Sequence, residues 1–204
     1  AHLLTTAGVD RVVTVNLHAA QEQGFFSCLV DDLTAVPLLG QTFLHEPGLD
    51  LSNAVVVSPD HGGVNRARDL AEILDTPIAI IDKRRNSKLE PEVMNIIGDI
   101  KGKDCILIDD MMDTARSAVA GAKALRANGA SSVRMVVHPV LSDPCYDLLK
   151  NEKPFDSIIV TDSIPLEQRF VDLGIFKVVS LADVLAETID RVVNDAPLSG
   201  VYKA

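Results

Sequence analysis

Cysteine is scarce in this chain of 204 residues: Cys28, Cys105 and Cys145 are odd in number, widely spaced and form no C-x-x-C pair. A disulfide framework and a structural zinc site are not indicated, and a reducing compartment, the cytoplasm, is the expectation. Long apolar runs are lacking too. Charges or turn residues interrupt each one short of the roughly 18 to 20 residues that span a bilayer, so a soluble protein with no membrane partner is expected. Positive charge is in deficit, with 19 Lys and Arg against 29 Asp and Glu and a formal charge of −10. Such a chain repels phosphate backbones and anionic lipid unless its cations are gathered in one place, which argues against nucleic acid as a partner. The opening Ala1-His2-Leu3-Leu4 has no initiator Met, basic leader or transit-peptide composition, and residues 2–7 run to a Gly8 stop signal as though from mid-helix. A fragment whose upstream part is missing is the expectation.

The rest of the composition is that of an ordinary globular protein, with 47% apolar and 24% charged residues, 12 Gly and 10 Pro. β-Branched, apolar runs at 12–17, 54–58, 78–82, 105–109, 133–138, 158–161 and 177–180 alternate with helical stretches at 64–74, 117–128, 145–150 and 182–193. That alternation predicts a layered α/β domain with a mostly parallel sheet flanked by helices. One stretch breaks the rhythm. Residues 93–100 and 105–108 are apolar runs joined by Lys101-Gly102-Lys103-Asp104, which reads as an antiparallel hairpin feeding a buried strand. No repeat or interdomain linker is visible, and the chain is treated as one domain.

Four segments carry chemistry. In the strongest, the buried strand at 105–108 runs into Asp109 and Asp110, then into Asp113-Thr114-Ala115-Arg116-Ser117 at the start of a helix. Backbone amides and the helix dipole there suit a phosphate, and acids at a strand's carboxyl end can hold sugar hydroxyls or a hydrated dication. The alternative is an N-cap by Asp113 or Thr114 followed by solvated charges. A second loop, Ser58-Pro59-Asp60-His61-Gly62-Gly63, precedes a helix with Arg66 and Arg68. Paired glycines let amides approach an anion, though a Gly-Gly turn is also simply a tight turn. Third, Lys83, Arg84, Arg85 and Lys88 leave a strand's carboxyl end in an otherwise acidic chain, either as a local positive field for an anionic substrate or as a solvated loop. Fourth, His18 follows the strand at 12–17, where an imidazole is either a metal or phosphoryl contact or a satisfied structural residue. His2, His45, His61 and His138 gain no role from spacing alone.

Together and in this order, the four segments resemble the ribose-phosphate diphosphokinase (PRPP synthetase) family. Leu17-His18-Ala19 with Gln23-Gly24-Phe25-Phe26 looks like its cation and ATP signature. Asp60, His61, Gly62 and Gly63 look like its pyrophosphate loop, Asp82-Lys83-Arg84-Arg85 like the root of its catalytic loop, and 109–117 like its ribose-5-phosphate loop. Asp162-Ser163-Ile164-Pro165 matches a further strand-end segment.

The resemblance implies a type I phosphoribosyltransferase-like fold. It also implies transfer of the β,γ-diphosphoryl group of ATP to the 1-hydroxyl of ribose 5-phosphate, with Mg2+, giving PRPP and AMP. By position, His18 and Asp60 would contact magnesium, directly or through water, and Lys83 and Arg85 would stabilise the transferring group. Asp109 would meet the ribose hydroxyls, while Asp113, Thr114, Ala115, Arg116 and Ser117 would wrap the 5-phosphate.

The resemblance covers the family's second domain and the end of the first, and its members form homo-oligomers, often hexamers. Asn16 stands where the family usually has Asp, Glu22 where it has an apolar residue, Leu29 where it has Pro, and Arg116-Ser117 where it has Gly-Thr. Asn16 and Arg116 favour a non-catalytic regulatory subunit related to the synthetases, whereas intact Lys83 and Arg85 count against it. A phosphoribosyltransferase that consumes PRPP shares only the 109–117 type of loop.

Overall fold

The structure, a computed structural model, describes residues 1–84 and 93–203. The chain divides into two compact units, one of Ala1–Leu38 with Ala182–Ala204 and one of Leu39–Leu181.

The smaller unit holds helix α1 (His2–Thr6), which stops before Gly8 at φ +91°, and strands β1 (Arg11–Val15) and β2 (Leu29–Leu33). The strands pair in parallel, Val15 opposite Leu33. Sequence patterning passes over β2 because Leu-Val-Asp-Asp-Leu reads as a polar turn. Each acid has a partner that allows it into a strand: Asp31 accepts from Arg11 Nε at 2.6 Å and Asp32 from Thr14 Oγ1 at 2.9 Å. Strand β1 also ends two residues earlier than the expected 12–17. Asn16 adopts φ +55°, and its side-chain oxygen accepts from the Ala35 amide at 2.8 Å, so the backbone turns there. Leu33, Leu198 and Val201 form the buried core with Val15, Val184, Leu185 and Val192, the last three from helix α7 (Ala182–Val193).

Helix α2 (Val36–Phe43) leads to the larger unit, whose elements in chain order are β3 (Ala54–Ser58), α3 (Val64–Leu74), β4 (Ile78–Arg84), β5 (Val93–Ile97) and β6 (Asp104–Met112). There follow α4 (Arg116–Ala127), β7 (Ser132–Pro139), α5 (Asp143–Glu152), β8 (Ser157–Thr161), α6 (Gln168–Val171) and β9 (Phe176–Val179). The strands form one sheet in the order β5-β4-β3-β6-β7-β8-β9, parallel except for β5. Every residue of β3 and of β8 is buried, as expected of continuous apolar strands covered on both faces. Helix α3 buries Ala67, Leu70, Ala71 and Leu74, the i, i+3, i+4, i+7 stripe of a helix packed on a sheet. Helix α4 ends as its sequence predicts: the amides of Gly129 and Ala130 return to the carbonyls of Arg126 and Leu125 at 3.0 Å each, with Gly129 at φ +93°.

The hairpin expected across residues 93–108 is not formed. β5 pairs antiparallel with β4, Ile80 opposite Ile97, at the edge of the sheet, whereas β6 lies between β3 and β7. Two neighbouring apolar runs with a short turn satisfy the local hairpin pattern. The fully buried run Cys105-Ile106-Leu107-Ile108 loses more by sitting at an edge than a strand with the exposed Asn95 and Ile97 does, so it takes the centre.

Between these strands Gly98 has φ +123°, and a Cβ there would lie 2.8 Å from Ala79 Cβ and 3.0 Å from Ala79 Cα. Gly98→Ala therefore meets both a left-handed backbone and a rigid neighbour, and is expected to lower stability by about 2–4 kcal/mol. Urea unfolding measures it, with Gly102→Ala, where φ is +72° and no atom lies within 4 Å of the added Cβ, as the milder comparison.

Candidate functional site

β3 is followed by β4 on one side in the sheet, while its other neighbour, β6, carries the chain away in the opposite direction toward β9. The strand order reverses between β3 and β6, and in open α/β sheets the crevice at the carboxyl ends of such strands is where ligands bind. The loops after β3 and β6 are the two that sequence reading marks out.

After β3, Asp60 closes a turn by accepting from the Gly63 amide at 3.1 Å, and Ser58 Oγ donates to the Asp60 carbonyl at 2.6 Å. A Cβ on Gly63 would stand 2.9 Å from Ser58 Oγ, so a larger residue there would displace the serine hydroxyl that bonds Asp60. Helix α3 starts at Gly63 with no side-chain cap, and its first internal bond runs from the Ala67 amide to Gly63. The amides of its first turn lie outside the helix's own ladder. His61 is largely exposed, and its Nε2 donates to Asp82 Oδ1 of β4 at 3.1 Å. This joins the loop to the strand that carries Lys83.

After β6, the chain reaches α4 through Asp113, Thr114 and Ala115. The expected alternative, a cap by Asp113 or Thr114, is not what forms. The N-cap is Ala115, held at φ +60° with no side-chain bond, and the first internal bond is from Val119 to Ala115. The amides of Arg116, Ser117 and Ala118 thus sit at the positive end of a 12-residue helix, outside its ladder. Ala115 is buried, while Asp113, Arg116 and Ser117 are exposed. Arg116 lines a groove with Pro144, Asp147 and Leu148 of α5.

Strand β6 is irregular where it matters. Its register with β7 shifts between Ile108 and Met111, which places a bulge at Asp109 and Asp110. Asp109 Oδ1 accepts from the Asp110 amide at 2.9 Å and Asp110 Oδ1 from the Met111 amide at 2.7 Å. From α3, Arg66 reaches across to both, with Nη1 3.3 Å from Asp109 Oδ1 and Nη2 3.4 Å from Asp110 Oδ2. Burial, more than any other cause, pushes the Asp109 carboxyl up to about 6. The backbone bond from Asp110 opposes the rise, the Asp110 charge adds to it, and Arg66 opposes it.

Of the expected residues, the larger unit thus gathers Asp60, His61, Gly62 and Gly63 with Asp109 and the 113–117 turn at neighbouring strand ends. Lys83 lies on β4, opposite Met94, and is described by its backbone. Arg85 lies outside the described residues. His18 belongs to the smaller unit, exposed, three residues past the end of β1. Among the described residues, no group of three or more His, Cys, Asp or Glu is arranged to hold a metal ion.

Sequence spacing passes over His138, at the carboxyl-side end of β7. Its Nδ1 donates to Thr161 Oγ1 at 2.6 Å, whose hydroxyl donates on to Ser163 at 3.0 Å. Burial and the Arg66 charge hold this imidazole below its ordinary pKa, against the pull of Asp110. The signal available was positional: His138 ends a predicted strand at the same side of the sheet as Asp109.

Comparison with family models matches residues 82–203 to the phosphoribosyl synthetase-associated domain. The chain belongs to that family. Along its whole length it is 50% identical to ribose-phosphate pyrophosphokinase 1 of Streptococcus agalactiae serotype III (strain NEM316), and 46% identical to ribose-phosphate pyrophosphokinase of Clostridium perfringens (strain 13 / Type A). It spans 63% of the length of each. In structure, 96% of the chain superposes on 63% of the phosphoribosylpyrophosphate synthetase of Mycobacterium smegmatis, with TM-score 0.85 and 37% identity. The expected fold class, α/β with a mostly parallel sheet flanked by helices, is the one found. No helix among the described residues is long and apolar enough to cross a membrane.

The Asp109 environment makes a prediction about pH. An acid whose folded pKa lies above its unfolded value binds more protons in the native state between the two, here from 3.8 to about 6. This group's contribution to stability therefore falls as pH rises through that window. Carboxyl NMR should show an Asp109 midpoint near 6, and Asp109→Asn should remove the corresponding slope from the stability-against-pH curve.

Proposed function

We propose that the protein from which this chain comes is a ribose-phosphate diphosphokinase, transferring the β,γ-diphosphoryl group of ATP to the 1-hydroxyl of ribose 5-phosphate to form PRPP and AMP. The observation that carries the reading is the pair of uncapped helix starts, at α3 and α4, on the adjacent parallel strands β3 and β6, with an acid pair between them. Two anion-binding ends and a sugar-binding carboxylate match a substrate that bears a 5-phosphate at one end and receives a diphosphate at the other.

In this reading the amides of residues 115–118, with Thr114 and Ser117, hold the 5-phosphate, Asp109 holds the ribose hydroxyls, and the 60–63 loop receives the diphosphate. Lys83 and Arg85 stabilise the charge that builds on the transferring group. Diphosphoryl transfer asks little covalent chemistry of the protein and much positioning and neutralisation. The donor set fits Mg2+: a dication that keeps several waters and shares substrate phosphates needs one or two protein carboxylates rather than a closed cage. Asp60 is the proposed magnesium carboxylate of the larger unit and His18 a proposed magnesium contact of the smaller one, and Mg2+ when bound would neutralise phosphate oxygens. A phosphoribosyltransferase-like domain preceded by the end of another, a homo-oligomer, a hexamer on the family pattern, and a cytoplasmic location belong to the same proposal.

Asn16, where the family usually carries Asp, is engaged in fold: its amide bonds Ala35 and also donates to Thr34 Oγ1 at 3.4 Å.

The test is AMP formation from ATP and ribose 5-phosphate with Mg2+ by the full-length protein. Activity is expected, and a folded protein that forms neither AMP nor PRPP would be the regulatory subunit instead. Within an active protein, Lys83→Ala and Arg85→Ala should each lower kcat about a hundredfold, or about 2.7 kcal/mol of barrier, with KM little changed and Arg84→Ala as the control. A raised KM with kcat near wild type would reassign the two cations to substrate capture.

A further inference from the structure

Residues that follow one another on a strand point to opposite faces of the sheet, so Asp109 and Asp110 on a regular β6 would not present their carboxylates to one partner. The bulge between Ile108 and Met111 changes that, and the two Nη atoms of Arg66 meet one oxygen of each, 3.3 Å from Asp109 Oδ1 and 3.4 Å from Asp110 Oδ2. The first oxygen of each acid is also tied to the next residue's amide. Asp109 Oδ2 takes part in none of these contacts, although the Asp109 carboxyl also shares a side-chain hydrogen bond with Asp110. The arginine itself is four-fifths buried, with a side-chain exposure of 21%, and its helix begins at the other anion-binding loop.

We propose that Arg66 is a positioning residue for the ribose 5-phosphate site: its guanidinium locks the bulged Asp109–Asp110 pair so that the Asp109 carboxylate is held in one orientation as an acceptor for sugar hydroxyls. The proposal rests on the ribose 5-phosphate reading of this site. A fork is needed for the purpose. Two adjacent carboxylates repel each other, and a planar guanidinium neutralises and orients both at once, which a lysine ammonium, a point charge on a flexible stem, does not reproduce.

The experiment compares Arg66→Ala, Arg66→Lys, Asp109→Asn and the Arg66→Ala/Asp109→Asn double variant of the full-length protein, with folding checked by circular dichroism. Arg66→Ala is expected to raise the KM for ribose 5-phosphate about tenfold or more while the KM for ATP moves less than about twofold, and Arg66→Lys should recover little of the loss. Because Arg66 acts through Asp109, the double variant should bind ribose 5-phosphate no worse than Asp109→Asn alone, a non-additivity that general destabilisation would not give. A readout independent of turnover is the His138 imidazole: loss of the Arg66 charge should raise its titration midpoint in the NMR spectrum.

If Asp109→Asn weakens ribose 5-phosphate binding and Arg66→Ala does not, or if the two losses simply add, the positioning role is wrong and the functional reading stands. If the wild-type protein binds no ribose 5-phosphate, the functional reading fails and the positioning role with it.

Discussion

The parallel pairing of β3 with β6 is the constraint on which the rest of the larger unit depends. Val55 lies opposite Cys105 and Val57 opposite Leu107, all four fully buried, so the pairing is held by apolar area on both faces of the sheet. It brings the loops after residues 58 and 112, distant in the chain, to neighbouring positions. It also forces the strand order to reverse there, since β4 occupies the other side of β3. Moving β6 to the edge, as the local hairpin pattern would have it, would expose that core and separate the two loops together.

Each loop then converts backbone geometry into charge. Neither α3 nor α4 has a side-chain cap, and α4 begins from a left-handed Ala115, a conformation that costs of order 1 kcal/mol or more in a non-glycine residue. Uncapped starts also occur at α1, α5 and α6, so what sets α3 and α4 apart is their place at the carboxyl ends of β3 and β6. Open helix starts at the switch point are the places where amides remain for a ligand. In a chain of overall charge −10, such helix starts are local sources of positive potential.

The acids at the end of β6 show how burial shapes a carboxyl group. Asp109 is removed far enough from water to raise its pKa to about 6, yet Arg66 and a backbone amide bond favour its ionised form. A partly desolvated carboxylate makes stronger bonds to neutral hydroxyl donors than one fully in water, as the proposed role of Asp109 requires. At the opposite end of the sheet, buried polar groups serve a different purpose: Lys177 donates to the buried Glu46 at 2.7 Å, and Arg134 donates to the Gly48 carbonyl at 2.8 Å. Those partners satisfy one another and hold the chain entering β3.

Several features were legible in the residues themselves. The runs at 54–58, 64–74 and 182–193 give β3, α3 and α7 with those same bounds, because period-3.6 stripes and continuous β-branched runs report burial directly. The segments at 60–63 and 109–117 could be named because glycine pairs and acid-rich strand ends are local patterns. Whatever needed a distant partner was not legible. β2 carries Asp31 and Asp32 and becomes a strand through Arg11 and Thr14. The place of β6 in the sheet, the bulge at Asp109 and Asp110, the arginine that meets both, and the imidazole of His138 beside them depend on which strands become neighbours. Side chains 43 residues apart, such as Arg66 and Asp109, are brought together by burial of the sheet between them, and sequence spacing carries no record of that distance.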